Sequence, residues 1–491
     1  MNRLLISAGH KSSGKTTITL GLCAALRQRG LAVQPFKKGP DYIDPMWLTL
    51  AAGRDCHNLD FYLMGREEIL ATFTRRAAGA DLALIEGNKG LYDGLDLDGS
   101  NSNAALAHLL AAPVVLVIDA RGMTRGIAPL ILGYQAFDRN IRIAGVILNQ
   151  LGGSRHESKL RAVIEHYTDV PVLGAVHHDE KLAIVERHLG LMPSNETRAA
   201  QEKIDAIARE VSARVDLDRL VAVAGAAPAL PPAAYMGTPA PTPLSEPKTP
   251  STGTLTPSPL PRGEGTLVRI AIARDEAFGF YYPGDLEALR TAGAELVAFS
   301  AVRDARLPQA DALFIGGGFP EVYLEALAAN DSLKRDIRAA IEGGMPAYAE
   351  CGGLMYLSRR IVWNERSGEM VGIVPADTVM HDRPMGRGYV RLRETGRGLW
   401  PLTGSGTRAA ELPAHEFHYS NLSNLAPGQT FAYEMLRGSG VDGRHDGIVY
   451  KNLLACYCHL RDLESNHWTR RFVEFVRRQK GIRRTPRHAA G

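Results

Sequence analysis

The chain has 491 residues, 45% hydrophobic and 22% charged, with a formal net charge of +4. That is too long for one ordinary core, so two domains of about 100–250 residues each are expected. The longest apolar runs, such as 111–118, are strand-length and well short of the roughly 20 residues of a spanning helix, so no membrane partner is expected.

Residues 4–8 run straight into a glycine loop instead of a cleavage site, which points to the cytoplasm. Five cysteines (Cys23, Cys56, Cys351, Cys456 and Cys458) are odd in number and widely spaced, which argues against a disulfide framework. The lone Cys456-Tyr-Cys-His459 run reads as strand alternation, not as a metal site.

In chain order, Arg3–Ala8 is a short apolar strand, followed by Gly9-His-Lys-Ser-Ser-Gly-Lys-Thr16 and a helix over 15–29. The loop matches G-x-x-x-x-G-K-[ST] without a gap. Glycines let backbone N–H groups curl around phosphates, Lys15 adds a mobile positive charge, and Thr16 suits Mg²⁺. Gly9, Ser12, Ser13, Gly14, Lys15, Thr16 and Thr17 therefore form the expected nucleotide site.

The segment 36–45 packs two lysines and two aspartates, Asp41 and Asp44, beside glycine and proline. It suits either turn chemistry or a metal and phosphate site. Strands at Leu82–Glu86, Val114–Asp119 and 143–148 alternate with helices at 103–110 and 158–167, the order of a parallel sheet with crossover helices. Glu86 closes its strand with a carboxylate and is the candidate metal partner of the loop.

Residues 226–265 are rich in Pro, Thr, Ser and Ala, with too few large apolar residues to bury, and are expected to be an extended linker. They separate a domain over 1–225 from one over 266–476. The second repeats the α/β pattern, with strands at Val268–Ala273, 295–299, Ala312–Ile315 and 347–349 and helices at 283–292 and 333–342. The last residues, 477–491, read as a solvated basic tail. It lacks the interleaved aromatics that favour nucleic acid.

Ala347-Tyr-Ala-Glu-Cys-Gly-Gly353 reads as a strand, a tight turn carrying Cys351, and a helix start. Such a nucleophile elbow places a thiol at a helix N-terminus. Backbone donors from Gly352 and from Gly317 and Gly318, in the loop after 312–315, suit an oxyanion. The thiolate needs a histidine to activate it and to protonate the leaving group. His415, His418 and His459 are available, His459 at the end of an alternating apolar run. Arg383 and Arg387, in a basic, glycine-rich stretch, suit carboxylate groups.

Taken together, residues 9–16, 38–45, 86–94, 273–282, 316–321, 350–353 and 415–420 resemble the cobyrinic acid a,c-diamide synthase family. In that family a dethiobiotin-synthetase-like P-loop ATPase domain is joined to a class I, triad-type glutamine amidotransferase domain. The resemblance covers nearly all of the chain outside the linker and implies a two-domain α/β enzyme, with a homodimer as the expected assembly.

The resemblance further implies that Cys351 and His459 release ammonia from glutamine. ATP with Mg²⁺, held through Thr16, Asp41 and Glu86, would activate a carboxylate as an acyl phosphate. Tyr42, Asp44 and Asp93 would face the substrate, a tetrapyrrole with acetate arms. Cobyrinate or hydrogenobyrinate is the first expectation, with siroheme or nickel sirohydrochlorin as the alternative. A regulatory nucleotide-binding protein with an inactive amidotransferase domain is the more distant one.

The sequence departs from the related amidotransferases in two places. Ala349 replaces a glycine of the elbow, and Arg461 stands where many carry a glutamate two residues after the histidine. The site is then expected to be a Cys–His dyad or to take a carboxylate from elsewhere, such as Glu464.

Overall fold

The computed structural model describes residues 1–182, 184, 186–187, 190–196, 199–230, 267–403 and 410–484. The N-terminal domain is built on a seven-stranded sheet in the order His57–Leu59, Val33–Lys38, Leu82–Glu86, Arg3–Ala8, Val114–Asp119, Ile143–Leu151, Val172–His177. Every pairing in it is parallel. Its central strands are near-continuous apolar runs because helices cover both faces and leave one core on each side. The carboxyl ends of three neighbouring strands deliver Gly9, Gly39 and Gly87 to one edge, where open parallel sheets bind ligands.

The C-terminal domain holds a nine-stranded sheet. Ala294–Phe299, Val268–Ala273, Ala312–Ile315, Ala347–Glu350 and Leu453–Cys456 run parallel. His445–Tyr450, Thr430–Arg437, Gly386–Glu394 and Glu411–His418 extend the sheet as antiparallel neighbours. The expected parallel pattern therefore holds for the first half of the sheet only.

Two boundaries differ from those expected. The last helix spans Trp468–Arg484 and crosses the limit placed at 476. Trp468, Phe472, Val473 and Val476 face the core. Arg477 donates to the carbonyl of Ala292 at 2.6 Å, and Lys480 pairs with Asp311 at 2.7 Å. The first residues of the expected tail are thus the charged end of an amphipathic helix, while 485–491 lie outside the described residues. Of the expected linker, 231–265 lie outside them too, and 226–230 stay on the first domain, where Arg3 donates to the Pro228 carbonyl at 2.5 Å. Among the described residues no helix is long and apolar enough to cross a membrane.

The two domains meet along an aromatic and polar seam. The Tyr389 hydroxyl donates to Asp60 at 2.7 Å, Arg461 donates to the Asn58 carbonyl at 2.6 Å, and Tyr42 stacks on Phe280 with centroids 5.4 Å apart.

Candidate functional site

The phosphate loop takes the shape its glycines allow. Gly14 sits at φ 84°, and a Cβ there would lie 2.1 Å from the Asn149 amide nitrogen, so only glycine fits. Asn149 in turn donates to the Ser13 carbonyl at 3.0 Å, and Tyr134 to that of Gly9 at 2.6 Å. Lys15 and Thr16 open the helix Lys15–Gln28. Burial and the neighbouring Lys37 lower the Lys15 ammonium to a pKa of about 8; it stays mostly charged at neutral pH, and anionic phosphates at the loop would raise it again.

Beside the loop lies a cluster of charge. The Thr16 hydroxyl donates to Glu86 at 2.6 Å and lies 3.3 Å from Asp44. Lys37 occupies the centre, 2.5 Å from Asp44, 2.9 Å from Glu86 and 3.8 Å from Asp41. Its ammonium is held well above its ordinary pKa: burial opposes the charge, and the three carboxylates outweigh burial. Asp41 also serves as a turn residue, its Oδ1 accepting from the backbone N–H of Ile43 and Asp44 at 2.9 and 3.3 Å. Asp44, expected to face the substrate, thus lies beside the Thr16 hydroxyl, and Lys37 was not among the expected site residues.

One oxygen of Glu86 is buried without a hydrogen-bond partner. Such an orphaned oxygen beside a hydroxyl and further carboxylates fits a Mg²⁺ site completed by phosphate and water. Mg²⁺ commonly takes one or two carboxylates and does not need an all-protein cage. Among the described residues no group of three or more His, Cys, Asp or Glu is arranged to hold a metal.

Cys351 stands between the strand Ala347–Glu350 and the short helix Gly352–Leu357 at φ 48°, ψ −103°. This strained turn is that of a nucleophile elbow. Gly352 fits it because a Cβ would lie 2.9 Å from the backbone nitrogen and oxygen of Gly318. The strand Gly317–Gly318 is thus laid against the elbow, and a Cβ on Gly317 would meet the His459 ring at 2.7 Å. The three glycines expected around an oxyanion come together at one point.

His459 is the histidine at this point. Its Nδ1 lies 3.4 Å from Glu350, whose other oxygen accepts from the Tyr348 hydroxyl at 2.6 Å and from the Leu460 N–H at 2.9 Å. Burial works against a charge on His459, but Cys351 and Glu350 outweigh it and raise the imidazole to a pKa of about 10. An imidazolium here supplies the counter-ion of a thiolate.

The carboxylate of the site is therefore Glu350, the residue before the nucleophile. The expected substitute, Glu464, lies elsewhere, its N–H bonded to Glu68 in the other domain at 3.1 Å. His415 stacks on His459 at 4.9 Å but is driven well below the ordinary imidazole range by burial and by the charges on His459 and Arg461. His418 is tied to the Ser420 carbonyl at 2.7 Å.

Tyr42 links the two sites. Its ring lies 5.2 Å from that of His459 and 4.5 Å from that of Tyr282. A cavity of about 250 Å³ has Tyr42 in its wall and is shared by the two domains, with Lys38, Asp41 and Asn88 lining it from one and His415, Phe417 and His459 from the other. Tyr42, expected at the substrate, thus stands in the interdomain seam. Arg387 lies over the Phe417 ring at 5.5 Å, beside the cavity wall. Arg383 and Asp93 are exposed, and Asp93 accepts from the Gly90 N–H at 2.9 Å next to the phosphate loop. Glu350 was missed as the partner of His459, although it stands in the Glu-Cys-Gly-Gly run read as the elbow, whereas Asn58 and Arg461 carry no local signal of their contact.

Two family descriptions match the chain. The CobQ/CobB/MinD/ParA nucleotide binding domain matches residues 4–191, and the CobB/CobQ-like glutamine amidotransferase domain matches residues 269–467. The cobyrinate a,c-diamide synthase of Magnetococcus marinus is 48% identical over 475 residues, covering 97% of each chain. That of Methanosarcina acetivorans is 42% identical over 93% of this chain and 92% of its own, and that of Archaeoglobus fulgidus 40% identical over 97% and 98%. With its two sites, its domain order and these relatives, the chain belongs to the cobyrinate a,c-diamide synthase family.

Proposed function

We propose that this glutamine-dependent ligase converts the a and c acetate carboxylates of cobyrinate into amides, drawing ammonia from glutamine and energy from ATP. The observation that carries the reading is the single cavity that His459 lines together with Asp41, Lys38 and Tyr42 of the other domain. Ammonia released beside His459 would have a short, partly sheltered way to the activated carboxylate. Water in the open would protonate it to unreactive ammonium.

At the amidotransferase end, the Cys351 sulfur attacks the glutamine side-chain amide carbon. Backbone donors at Gly317, Gly318 and Gly352 face the oxyanion, and His459 gives its proton to the departing ammonia. The thioester left on Cys351 is then hydrolysed to glutamate, with His459 drawing the proton from water. Glu350 holds His459 in orientation and favours its charged form.

At the other end, a substrate carboxylate oxygen attacks the γ-phosphorus of ATP, and ADP departs. Ammonia then displaces phosphate from the acyl phosphate. Lys15 and Lys37 carry positive charge toward the phosphates. Thr16 and Glu86, with one of Asp44 and Asp41, would hold Mg²⁺, which when bound would neutralise phosphate charge. Arg387 and Arg383 are the candidate partners of the remaining carboxylates, since guanidinium pairs with carboxylate in a planar fork.

The siroheme alternative is not favoured, because the relatives are named for cobyrinate. Glu350 also removes the main reason for a dead amidotransferase domain, a missing carboxylate. The proposal includes residence in the cytoplasm and a homodimer, which light scattering on the purified chain tests. The reaction itself is tested by incubating the chain with ATP, Mg²⁺, glutamine and cobyrinate, sirohydrochlorin or siroheme and following product masses. Amidation of cobyrinate alone is expected, and amidation of a different panel member would overturn the substrate.

A further inference from the structure

Arg461 does something unusual for a buried cation. It is 8% exposed, forms no ion pair among the described residues, and leaves Nη1 without a hydrogen-bond partner. Asp285 and Glu68 feel its charge without touching it, and a buried charge with no carboxylate in contact is costly and needs a compensating use. Its contacts are the face of Tyr282, 5.1 Å away, and the Asn58 carbonyl, to which Nη2 donates at 2.6 Å.

Asn58 belongs to the other domain, and its side-chain amide donates to the carbonyls of Gly39 and Asp41 at 2.8 Å each. Arg461 therefore grips the segment that carries Asp41, Tyr42 and Asp44. On its own side it is two residues from His459, and the intervening Leu460 N–H fixes Glu350 at 2.9 Å. An unbroken line of contacts runs from Asp41 through Asn58 and Arg461 to the carboxylate that orients His459.

We infer that Arg461 is a positioning residue that couples glutamine hydrolysis to occupancy of the carboxylate-activating site. When ATP and the acceptor draw the 39–44 segment onto themselves, Asn58 moves with it. Arg461 transmits the displacement to the 459–461 backbone and so to the Glu350–His459 pair. Arginine suits the task because its planar fork reaches a backbone carbonyl in the neighbouring domain while its plane rests on Tyr282. This inference rests on the glutamine-fed amidation proposed above.

The test uses the full chain as wild type, Arg461→Gln and Arg461→Lys. Ammonia release from glutamine is measured with and without ATP plus cobyrinate, and amide formation is measured with glutamine and with ammonium chloride. In the wild type, ATP plus cobyrinate should stimulate ammonia release by about tenfold, within the usual range of coupling between sites. In Arg461→Gln that stimulation should fall to about one, while ammonium-fed amidation stays within about twofold of wild type. Arg461→Lys keeps the charge but not the fork, and should lie between the two.

Unchanged stimulation in the variants, or absence of stimulation in the wild type, would overturn the coupling. So would an equal loss of ammonium-fed and glutamine-fed amidation in both variants, which marks a purely structural arginine. A wild type that makes no amide even from ammonium would instead sink the proposed function.

Discussion

The carboxylate of Glu350 lies 3.4 Å from Nδ1 of His459, although Glu350 precedes the nucleophile Cys351 in the chain and His459 comes more than a hundred residues later. Adjacent parallel strands explain the meeting, because Glu350 and Cys456 are register partners and the chain continues from there to His459. Replacement of Glu350 by Gln should lower ammonia release from glutamine by about 100-fold, the scale of a disturbed general acid–base pair. Ammonium-fed amidation should stay near wild type, and Glu464→Ala should leave both activities unchanged. A steady-state ammonia assay checks all three.

The same pair predicts the pH dependence of stability. Burial opposes a charge on His459, but Cys351 first and Glu350 second raise it on folding from its ordinary 6.5 to about 10, so Glu350→Gln removes only part of the shift. A raised pKa stabilises the fold fully below about pH 6.5, and that contribution is lost as pH rises through about 10. Urea unfolding should therefore show the wild type losing roughly 1–3 kcal/mol more than Glu350→Gln across that window. Parallel curves would refute the ion pair.

Lys37 neutralises a pocket of three carboxylates, one of them, Glu86, fully buried. Lys37→Met should cost about 3 kcal/mol, because it leaves buried carboxylates without a counter-charge. Added Mg²⁺ should recover part of that loss. Denaturant titration with and without Mg²⁺ measures both, and ammonia release from glutamine should persist wherever the variant remains folded.

Tyr42 closes the seam by packing on Phe280, Tyr282 and His459. In Tyr42→Ala, ammonia should escape, so more than one glutamine is consumed per amide formed. Tyr42→Phe keeps the ring and should hold that ratio near one. The ratio of glutamate to amide product is the measurement.

Much of this was legible from the residues. The phosphate loop announces itself because its chemistry is local, eight consecutive residues whose backbone makes the site. The elbow at Cys351 is local too. What the sequence hid is long-range. Glu350 was visible in its motif, but its pairing with His459 depends on which strands lie side by side. Arg461 looked like a lost glutamate, yet it reaches Asn58 across the domain seam. The basic run after 476 read as a tail because its charges dominate, whereas Trp468, Phe472, Val473 and Val476 begin a buried helix face that carries it along. The antiparallel half of the second sheet was missed because segments such as Gly386–Glu394 mix arginines with apolar residues on a half-exposed strand.

Ammonia made at Cys351 is expected to reach the activated carboxylate without entering bulk water. The direct measurement supplies the chain with ATP, Mg²⁺, cobyrinate and amide-¹⁵N glutamine in a large excess of unlabelled ammonium, then weighs the product. Both new amides should carry ¹⁵N, and Cys351→Ala should make only unlabelled amide. Wild-type product bearing the isotope ratio of the bulk ammonium would contradict this expectation.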